Sequence, residues 1–178
     1  LAVSDRSWRV AHGPLVFNGM RTGEKYDARK CLADWKAGTE PDPEIWQRVY
    51  LTDPPGGTLV QVEAPACRMI RRLPSRSRKA LEDGTELFDF GENISGVTEL
   101  CVEGEPGAVV TIVHGEKLSD GRIDNKHNSM YTLCDGFQTD VYTLAGTGKE
   151  NWHPSFTYHG FRYAEVKIEG KAKVCDLT

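Results

Sequence analysis

The residues best suited to hold a metal ion or a polar ligand lie between positions 23 and 29, where the sequence reads GEKYDAR. Glu24 and Asp27 offer hard carboxylate oxygens of the kind that calcium binds, and Arg29 offers a planar guanidinium that can bond two neighbouring oxygens. In an extended segment Glu24 and Asp27 point to opposite faces, so both serve one site only if the segment turns. The alternative is structural: Asp27 caps a turn and Arg29 makes a surface ion pair.

Three further side chains are candidates for such a site. Asn18 precedes Gly19, and the pair is either a polar ligand or simply a turn. Asn93, in GENISG, either turns its amide oxygen toward an ion or bonds its own backbone. Trp46 lies in a less regular region and offers an aromatic ring to a bound molecule.

The remaining polar and aromatic motifs favour structural roles. His114 and Glu116 alternate onto one face of a predicted strand, which indicates a structural pair more than a catalytic dyad. The polar stretch that follows lacks the spacing of an EF-hand calcium loop. In FTYHGFRY (156–163), period 2 places Phe156 and Tyr158 on one face, and we interpret the aromatic residues of this run as core rather than as a stacking platform.

Composition limits the classes of protein to which the chain can belong. The 178 residues carry 22 Lys+Arg against 26 Asp+Glu, for a net charge of −4, with no basic stripe of the kind that binds nucleic acid. Apolar runs fall short of the ~18–20 residues that span a bilayer, and the first residues lack the apolar region of a signal peptide. We therefore expect a soluble chain without nucleic-acid or membrane partners.

The five cysteines are widely spaced, with no C-x-x-C pair that would indicate a zinc or redox motif. Their odd number argues against a fully paired disulfide framework. Cys101 and Cys134 are predicted to be small buried apolar residues, as free cysteines often are.

Alternation of apolar and polar residues predicts a chain made mostly of strands. Only residues 42–50, DPEIWQRVY, show a trace of helical periodicity. The predicted strands are Ser7–Val10, Leu15–Phe17, Gly57–Glu63, Glu86–Asp89, Gly96–Glu103, Val109–Glu116, Asp140–Leu144 and Tyr163–Ile168. The expected fold is an all-β jelly-roll sandwich with little helix. It is predicted to form one domain over residues 1–178, with an irregular portion at 1–57 and a β core at 58–170.

Four motifs from residue 88 onward allow the sequence to be compared with a known family. They are FDFGENISG (88–96), VTIVHGEKLSDGRI (110–123), TDVYTLAG (139–146) and WHPSFTYHGFRYAEV (152–166). In this order they resemble the β-domain of bacterial α-L-rhamnosidases of glycoside hydrolase family 78. Upstream, residues 13–30 resemble the stretch before that domain, where a GExYDAR motif is usual. Together the two regions resemble a family 67 carbohydrate-binding module.

The resemblance implies a function and a set of site residues. Members of that module family bind L-rhamnose with calcium, which implies sugar ligands Asp27, Asn93, Arg29, Trp46 and Asn18 and metal ligands Asp27, Asn93 and Glu24. The catalytic acids of the related enzymes lie in a helical barrel that this chain lacks, so the resemblance implies no catalytic residues here. Val97 stands where relatives commonly have Trp, a change that weakens binding only if that Trp contacts the ligand.

Three hypotheses follow. The first is a calcium-dependent module that binds L-rhamnose or rhamnose-containing polysaccharides, secreted or extracellular, and linked to a glycoside hydrolase domain. The second is a structural accessory domain of an α-L-rhamnosidase with no ligand of its own. The third is a hydrolase using paired carboxylates ~5–10 Å apart, for which no spacing in the sequence offers support.

Overall fold

Strands carry most of the regular structure in the computed structural model, which describes residues 5–32, 42–54, 56–126 and 136–178. One turn of 3-10 helix, Ala28–Lys30, follows the third strand. In chain order the strands of these ranges are β1 (Arg9–Val10), β2 (Leu15–Gly19), β3 (Gly23–Asp27), β4 (Gln47–Arg48), β5 (Ser77–Ala80), β6 (Glu86–Gly96), β7 (Leu100–Gly104), β8 (Val109–Gly115), β9 (Leu118–Ser119), β10 (Arg122–Ile123), β11 (Thr139–Thr143), β12 (Lys149–Trp152), β13 (His159–Glu169) and β14 (Ala172–Leu177). Among the described residues, no helix has the length and apolar character needed to cross a membrane.

Residue contacts divide the chain into two compact units. One consists of Leu1–Gly13 and Leu32–Ile70, and the other of Pro14–Cys31 and Arg71–Thr178. The second unit is therefore built from two separate stretches of chain. The single-domain organisation predicted from the sequence stays a prediction.

The unit formed by Leu1–Gly13 and Leu32–Ile70 contains little sheet. In its described part, β1 and β4 pair antiparallel. The strand predicted at Gly57–Glu63 is wrong, because this stretch has no strand and Leu59 and Val60 are 102% and 81% exposed. Alternation makes a strand only where a neighbour offers backbone hydrogen bonds. The helical trend at 42–50 is also wrong, since a turn and then β4 occupy these residues.

The unit formed by Pro14–Cys31 and Arg71–Thr178 is built from two main sheets. A seven-stranded sheet has the order β2-β3-β11-β8-β13-β6-β5, and a three-stranded sheet has the order β12-β7-β14. Neighbouring strands are antiparallel except for β3 and β11, which run parallel. The all-β sandwich predicted from the sequence is confirmed.

The core lies between these sheets, where alternate residues of each strand point inward. In β8 every second residue is buried, at Val110, Ile112 and His114, and the last residue, Gly115, is buried as well. Side chains from both sheets make up one apolar cluster: Phe88, Phe90, Leu100, Val102, Val110, Ile112, Tyr142, Leu144, Trp152, Phe161, Ala164, Val166, Val174 and Leu177, together with Ala28 and Ala108. Two polar residues, His114 and Asp140, also point inward on their strands and are buried beside this apolar cluster.

Candidate functional site

Asp27 ends β3 and caps the 3-10 turn that follows. Its Oδ1 accepts hydrogen bonds from the Arg29 backbone N at 3.2 Å and from Arg29 Nε at 2.8 Å, and its Oδ2 accepts from Arg29 Nη2 at 2.8 Å. Asp27 is buried and Arg29 is exposed. The hydrogen bonds from Arg29 hold the pKa of Asp27 below its usual value, against the effect of burial. This is the turn-capping ion pair, so a cation at Asp27 would have to compete with the guanidinium.

Glu24 lies in the same strand but serves another part of the fold. It is buried, and its Oε2 accepts hydrogen bonds from the backbone N atoms of Ser155 and Phe156, each at 3.0 Å. β3 stays extended through Gly23–Asp27, so Glu24 and Asp27 point to opposite faces. The structure therefore does not bring these two carboxylates to one site.

Asn93 is far from Asp27. Its Nδ2 donates to Glu116 Oε1 at 2.7 Å. Asn93 is on β6 and Asp27 on β3, with β11, β8 and β13 between them. Four strand spacings amount to roughly 19 Å across the sheet. The convergence of the YDAR and GENISG segments on one pocket, expected from the sequence, is not formed.

The other two predicted ligands are Asn18 and Trp46. Asn18 is exposed on β2, opposite Glu24 in the register. Trp46 is partly buried and belongs to the unit formed by Leu1–Gly13 and Leu32–Ile70. The ligand roles of Asp27, Asn93, Arg29, Trp46 and Asn18 stay predictions, as does the metal role of Glu24.

An open cleft of about 570 Å³ lies beside Arg29. It is lined by Ala28, Arg29, Cys31, Tyr142, Ala145, Thr147, Lys149, Glu150 and Asn151. Tyr142 stacks on Trp152 with ring centroids 5.2 Å apart and on Tyr26 at 5.9 Å. The cleft thus combines cationic and amide groups with the edge of an aromatic stack.

Glu150 shapes one wall of the cleft. Its carboxylate accepts hydrogen bonds from the backbone N atoms of Ala145, Gly146 and Thr147, at 2.7–3.1 Å, and from the Tyr142 hydroxyl at 2.8 Å. Burial alone would raise the pKa of Glu150, but these bonds outweigh it and lower the pKa. Glu150 is held as a carboxylate that fixes the loop rather than as a free acid.

A second cluster of chemistry-bearing side chains is buried in the sandwich. His114, Asp140 and His159 are at most 1% exposed, and ligand atoms of all three lie within 4.8 Å of one another. His159 Nε2 bonds Asp140 Oδ2 at 3.0 Å, and Asp140 Oδ1 accepts from the Glu24 backbone N at 2.8 Å. The two histidine rings stack at 4.4 Å.

The hydrogen bonds of His114 define its tautomer. Nδ1 lies 3.1 Å from the carbonyl oxygen of Gln138, which can only accept, so Nδ1 carries the proton. Nε2 then accepts from Thr98 Oγ1 at 3.1 Å. The predicted pairing of His114 with Glu116 is wrong, because β8 ends at Gly115 and Glu116 is exposed. Both nitrogens of His114 and both oxygens of Asp140 have protein partners, so these two residues belong to a structural network, whereas His159 Nδ1 is buried without a hydrogen-bond partner among the described residues.

Comparison with known families decides where the chain belongs. The family model described as the bacterial alpha-L-rhamnosidase concanavalin-like domain matches residues 79–177, and that of the alpha-L-rhamnosidase N-terminal domain matches residues 1–71. This chain belongs to the bacterial α-L-rhamnosidase family. The resemblance seen in its sequence is confirmed.

Individual α-L-rhamnosidases align with almost the full length of this chain. An alpha-L-rhamnosidase of Streptomyces avermitilis is 37% identical over 98% of this chain, and one of Formosa agariphila is 33% identical over 92%. Among solved structures, the alpha-L-rhamnosidase of Dictyoglumus thermophilum aligns with a TM-score of 0.84 at 34% identity, covering 99% of this chain and 20% of that one. The Streptomyces avermitilis enzyme, solved with L-rhamnose, gives 0.80 at 34%, covering 97% and 17%. The chain spans 17% of the length of the two curated relatives.

Two of the motifs typical of this rhamnosidase family pair with each other in the fold. FDFGENISG lies in β6 and HGFRY in β13, and these strands are neighbours with a bulge after Phe161. Asp89 Oδ1 and Oδ2 accept from Arg162 Nε and Nη2, each at 2.9 Å, and Oδ1 also accepts from the Gly91 backbone N at 2.6 Å. Gly91 has φ 81°, the left-handed conformation that favours glycine. The motifs thus form a structural junction.

The polar residues that sequence reasoning missed carried a detectable signal. Asp140 alternates in phase with Tyr142, and His159 with Phe161, so period 2 places each polar residue on the same face as an aromatic one. When that face is the core, the polar residue must find a buried partner. The structure supplies the partners from β3 and β8, which lie far away in the sequence.

Proposed function

We propose that this chain is an accessory β-region of an α-L-rhamnosidase, that it contributes structure to the larger enzyme, and that it has no glycosidase activity of its own. The observation that carries the proposal is the coverage: 98% of the chain aligns with 17% of a curated α-L-rhamnosidase. The polar groups of the predicted site support it. Asp27 bonds Arg29, and Glu24 bonds backbone N atoms of residues 155 and 156.

Exposed apolar side chains offer a surface on which the rest of such an enzyme can pack. Phe156 is 61% exposed and Tyr158 is 52% exposed, so the prediction that the aromatic residues of this run are core is wrong for these two. Between them, Thr157 Oγ1 donates to the Met20 carbonyl oxygen at 3.2 Å, and Met20 is itself 59% exposed. Apolar side chains grouped in this way are typical of interaction surfaces.

A chimera tests the accessory role. When this chain replaces the matching segment of the Streptomyces avermitilis relative, hydrolysis of a nitrophenyl α-L-rhamnoside is expected to stay within about tenfold of the unaltered enzyme, whereas the isolated chain shows no turnover. Phe156→Ser should lower the melting temperature of the chimera but leave the stability of the isolated chain within about 0.5 kcal/mol. Lys171→Ser, at an exposed position, is the matched control. An inactive, unfolded chimera or turnover by the isolated chain would contradict the proposal.

Calcium-dependent binding of L-rhamnose is the second candidate. It is favoured by the cleft beside Arg29, with Asn151 and Thr147 as further polar groups, and by the relative solved in complex with L-rhamnose. In this alternative Asp27 releases Arg29 and supplies oxygens to the metal. Calcium needs 6–8 oxygen ligands, so waters and vicinal sugar hydroxyls would complete its shell.

Calorimetric titration separates the two candidates. The accessory role predicts no saturable heat when L-rhamnose is added to the folded chain at millimolar concentration, with calcium or with a chelator. A dissociation constant in the ~μM–mM range that is lost with the chelator would favour the second candidate instead. In that case Asp27→Ala must abolish binding. Asp83→Ala must not, since it removes an Asp–Arg ion pair away from the cleft.

A further inference from the structure

Two cysteines lie side by side on neighbouring strands of the three-stranded sheet. Cys101 is in β7 and Cys175 is in β14. The register pairs Val174 with Val102 and Asp176 with Cys101, so Cys175 is the extra residue of a β-bulge facing Cys101. Cross-strand neighbours in an antiparallel pair have Cα atoms ~4.5–5.5 Å apart, which is within the range that a disulfide spans.

Both side chains lie on the same face of that sheet. Leu100 and Val102 are buried in the core on either side of Cys101, which turns Cys101 to the outer face. On β14 the buried residues are Val174 and Leu177, so the bulge places Cys175 on the outer face as well. Cys101 is therefore partly exposed, and the prediction that it is buried is wrong. Cys134, predicted to be like it, lies outside the described residues.

The two thiols are in contact and are not joined. Burial raises the pKa of the Cys101 thiol, and the neighbouring Cys175 thiol raises it further, through charge and a hydrogen bond. Both cysteines are free and of intermediate exposure. They can therefore be reached by a small disulfide reagent, and they are close enough to react with each other without separation of the strands.

We propose that Cys101 and Cys175 form a reversible redox pair that closes a disulfide between β7 and β14 when a small disulfide oxidant such as oxidised glutathione is present. One cysteine thiolate attacks the glutathione disulfide, forming a mixed disulfide and releasing one glutathione thiolate. The thiolate of the other cysteine then attacks the protein sulfur of the mixed disulfide and releases the second glutathione. Two cysteine thiols are oxidised, one oxidised glutathione is reduced to two thiols, and the two cysteine protons pass to the released glutathiones.

The bond would tie the last strand into the sandwich. It closes a long loop, between positions 101 and 175, and cross-links across long loops restrict the unfolded chain most. For a domain of this size a rise in melting temperature of about 10 °C is expected on oxidation. This consequence is independent of sugar binding and of the accessory role.

The test is oxidation of the full chain with oxidised glutathione, followed by trypsin under non-reducing conditions. Cys101 falls in the tryptic peptide Ala80–Lys117 and Cys175 in Val174–Thr178, and neither peptide contains another cysteine. We expect these two peptides to be joined, with the melting temperature raised and restored by dithiothreitol. Cys67→Ser, at an exposed cysteine in the other unit, should leave both results unchanged.

Cys101→Ser and Cys175→Ser should each abolish the linked peptide and the rise in melting temperature. If either variant is unfolded, the peptide map of the unaltered chain still decides the question. Glutathione adducts on Cys101 or Cys175 without a link, or a link from either to Cys31, Cys67 or Cys134, would overturn the proposal. An unchanged melting temperature after complete linking would overturn its structural consequence.

Discussion

Replacing Asp140 with alanine is expected to lower the free energy of unfolding by about 3–5 kcal/mol. Asp140 is completely buried. Its two carboxylate oxygens bond His159 Nε2 and the Glu24 backbone N. The substitution leaves both N–H donors buried without an acceptor. Each donor then carries the full free-energy cost of having lost its hydrogen bonds to water. The same carboxylate links β3, β11 and β13, so the loss affects the pairing of three strands.

Urea unfolding followed by tryptophan fluorescence measures this effect, since Trp152 is buried in the core. Asp176→Ala is the matched control, because Asp176 is exposed and its carboxylate accepts a hydrogen bond from the exposed Thr178 hydroxyl; the substitution should change stability by no more than about 0.5 kcal/mol. Asp140→Asn should fall between the two, because the amide keeps one acceptor oxygen. Equal losses for Asp140→Ala and Asp176→Ala would show that the network contributes nothing.

Acidification from pH 7 to pH 5 is expected to cost about 2 kcal/mol of stability through His114 alone. Burial, as the larger cause, and the adjacent His159 ring together lower the pKa of His114 to about 4, against the opposite effects of Asp140 and of the hydrogen bond to the Gln138 carbonyl. The unfolded chain binds a proton on this residue below its ordinary pKa of about 6.5, whereas the folded chain does not until pH 4. Stability is therefore complete above pH 6.5 and falls as the pH drops toward 4.

The variant His114→Asn tests the origin of this loss. Its amide nitrogen can replace Nδ1 as the donor to the Gln138 carbonyl, and it does not titrate. The measured quantity is the difference in unfolding free energy between pH 7 and pH 5 within each protein, so a lower baseline for the variant does not matter. His153→Asn, at an exposed histidine, should keep the pH dependence of the unaltered chain. If His114→Asn keeps it too, another group causes the acid sensitivity.

Strand positions in the sandwich were predictable where local alternation matched burial. β8 and β11 lie within one residue of their predicted bounds, because their apolar residues recur at every second position and face the core. β3 was missed because GEKYD buries Glu24 and Asp27, and a polar residue gives no apolar signal. The stretch 57–63 failed in the opposite way, since it has the alternation but no neighbouring strand.

Ligand sites were the least predictable part, because they depend on which strands become neighbours. β3 pairs with β11 across more than a hundred intervening residues, and the sheet order then separates Asp27 from Asn93 by three strands. Nothing local in YDAR or GENISG encodes that order. In the same way, the partner of His114 is a residue of β13 stacked against it, and not the nearby Glu116.

The sequence by itself determined the fold class and the family, because period-2 alternation and the four ordered motifs can be recognised without knowing any tertiary contact. Only the tertiary structure decided which side chains meet across strands: Asp140 with His159, and Cys101 with Cys175 across a bulge. A bulge of one residue changes which side chains meet across two strands. That choice follows from the packing of the whole sandwich, because the order and register of the strands set which side chains face each other.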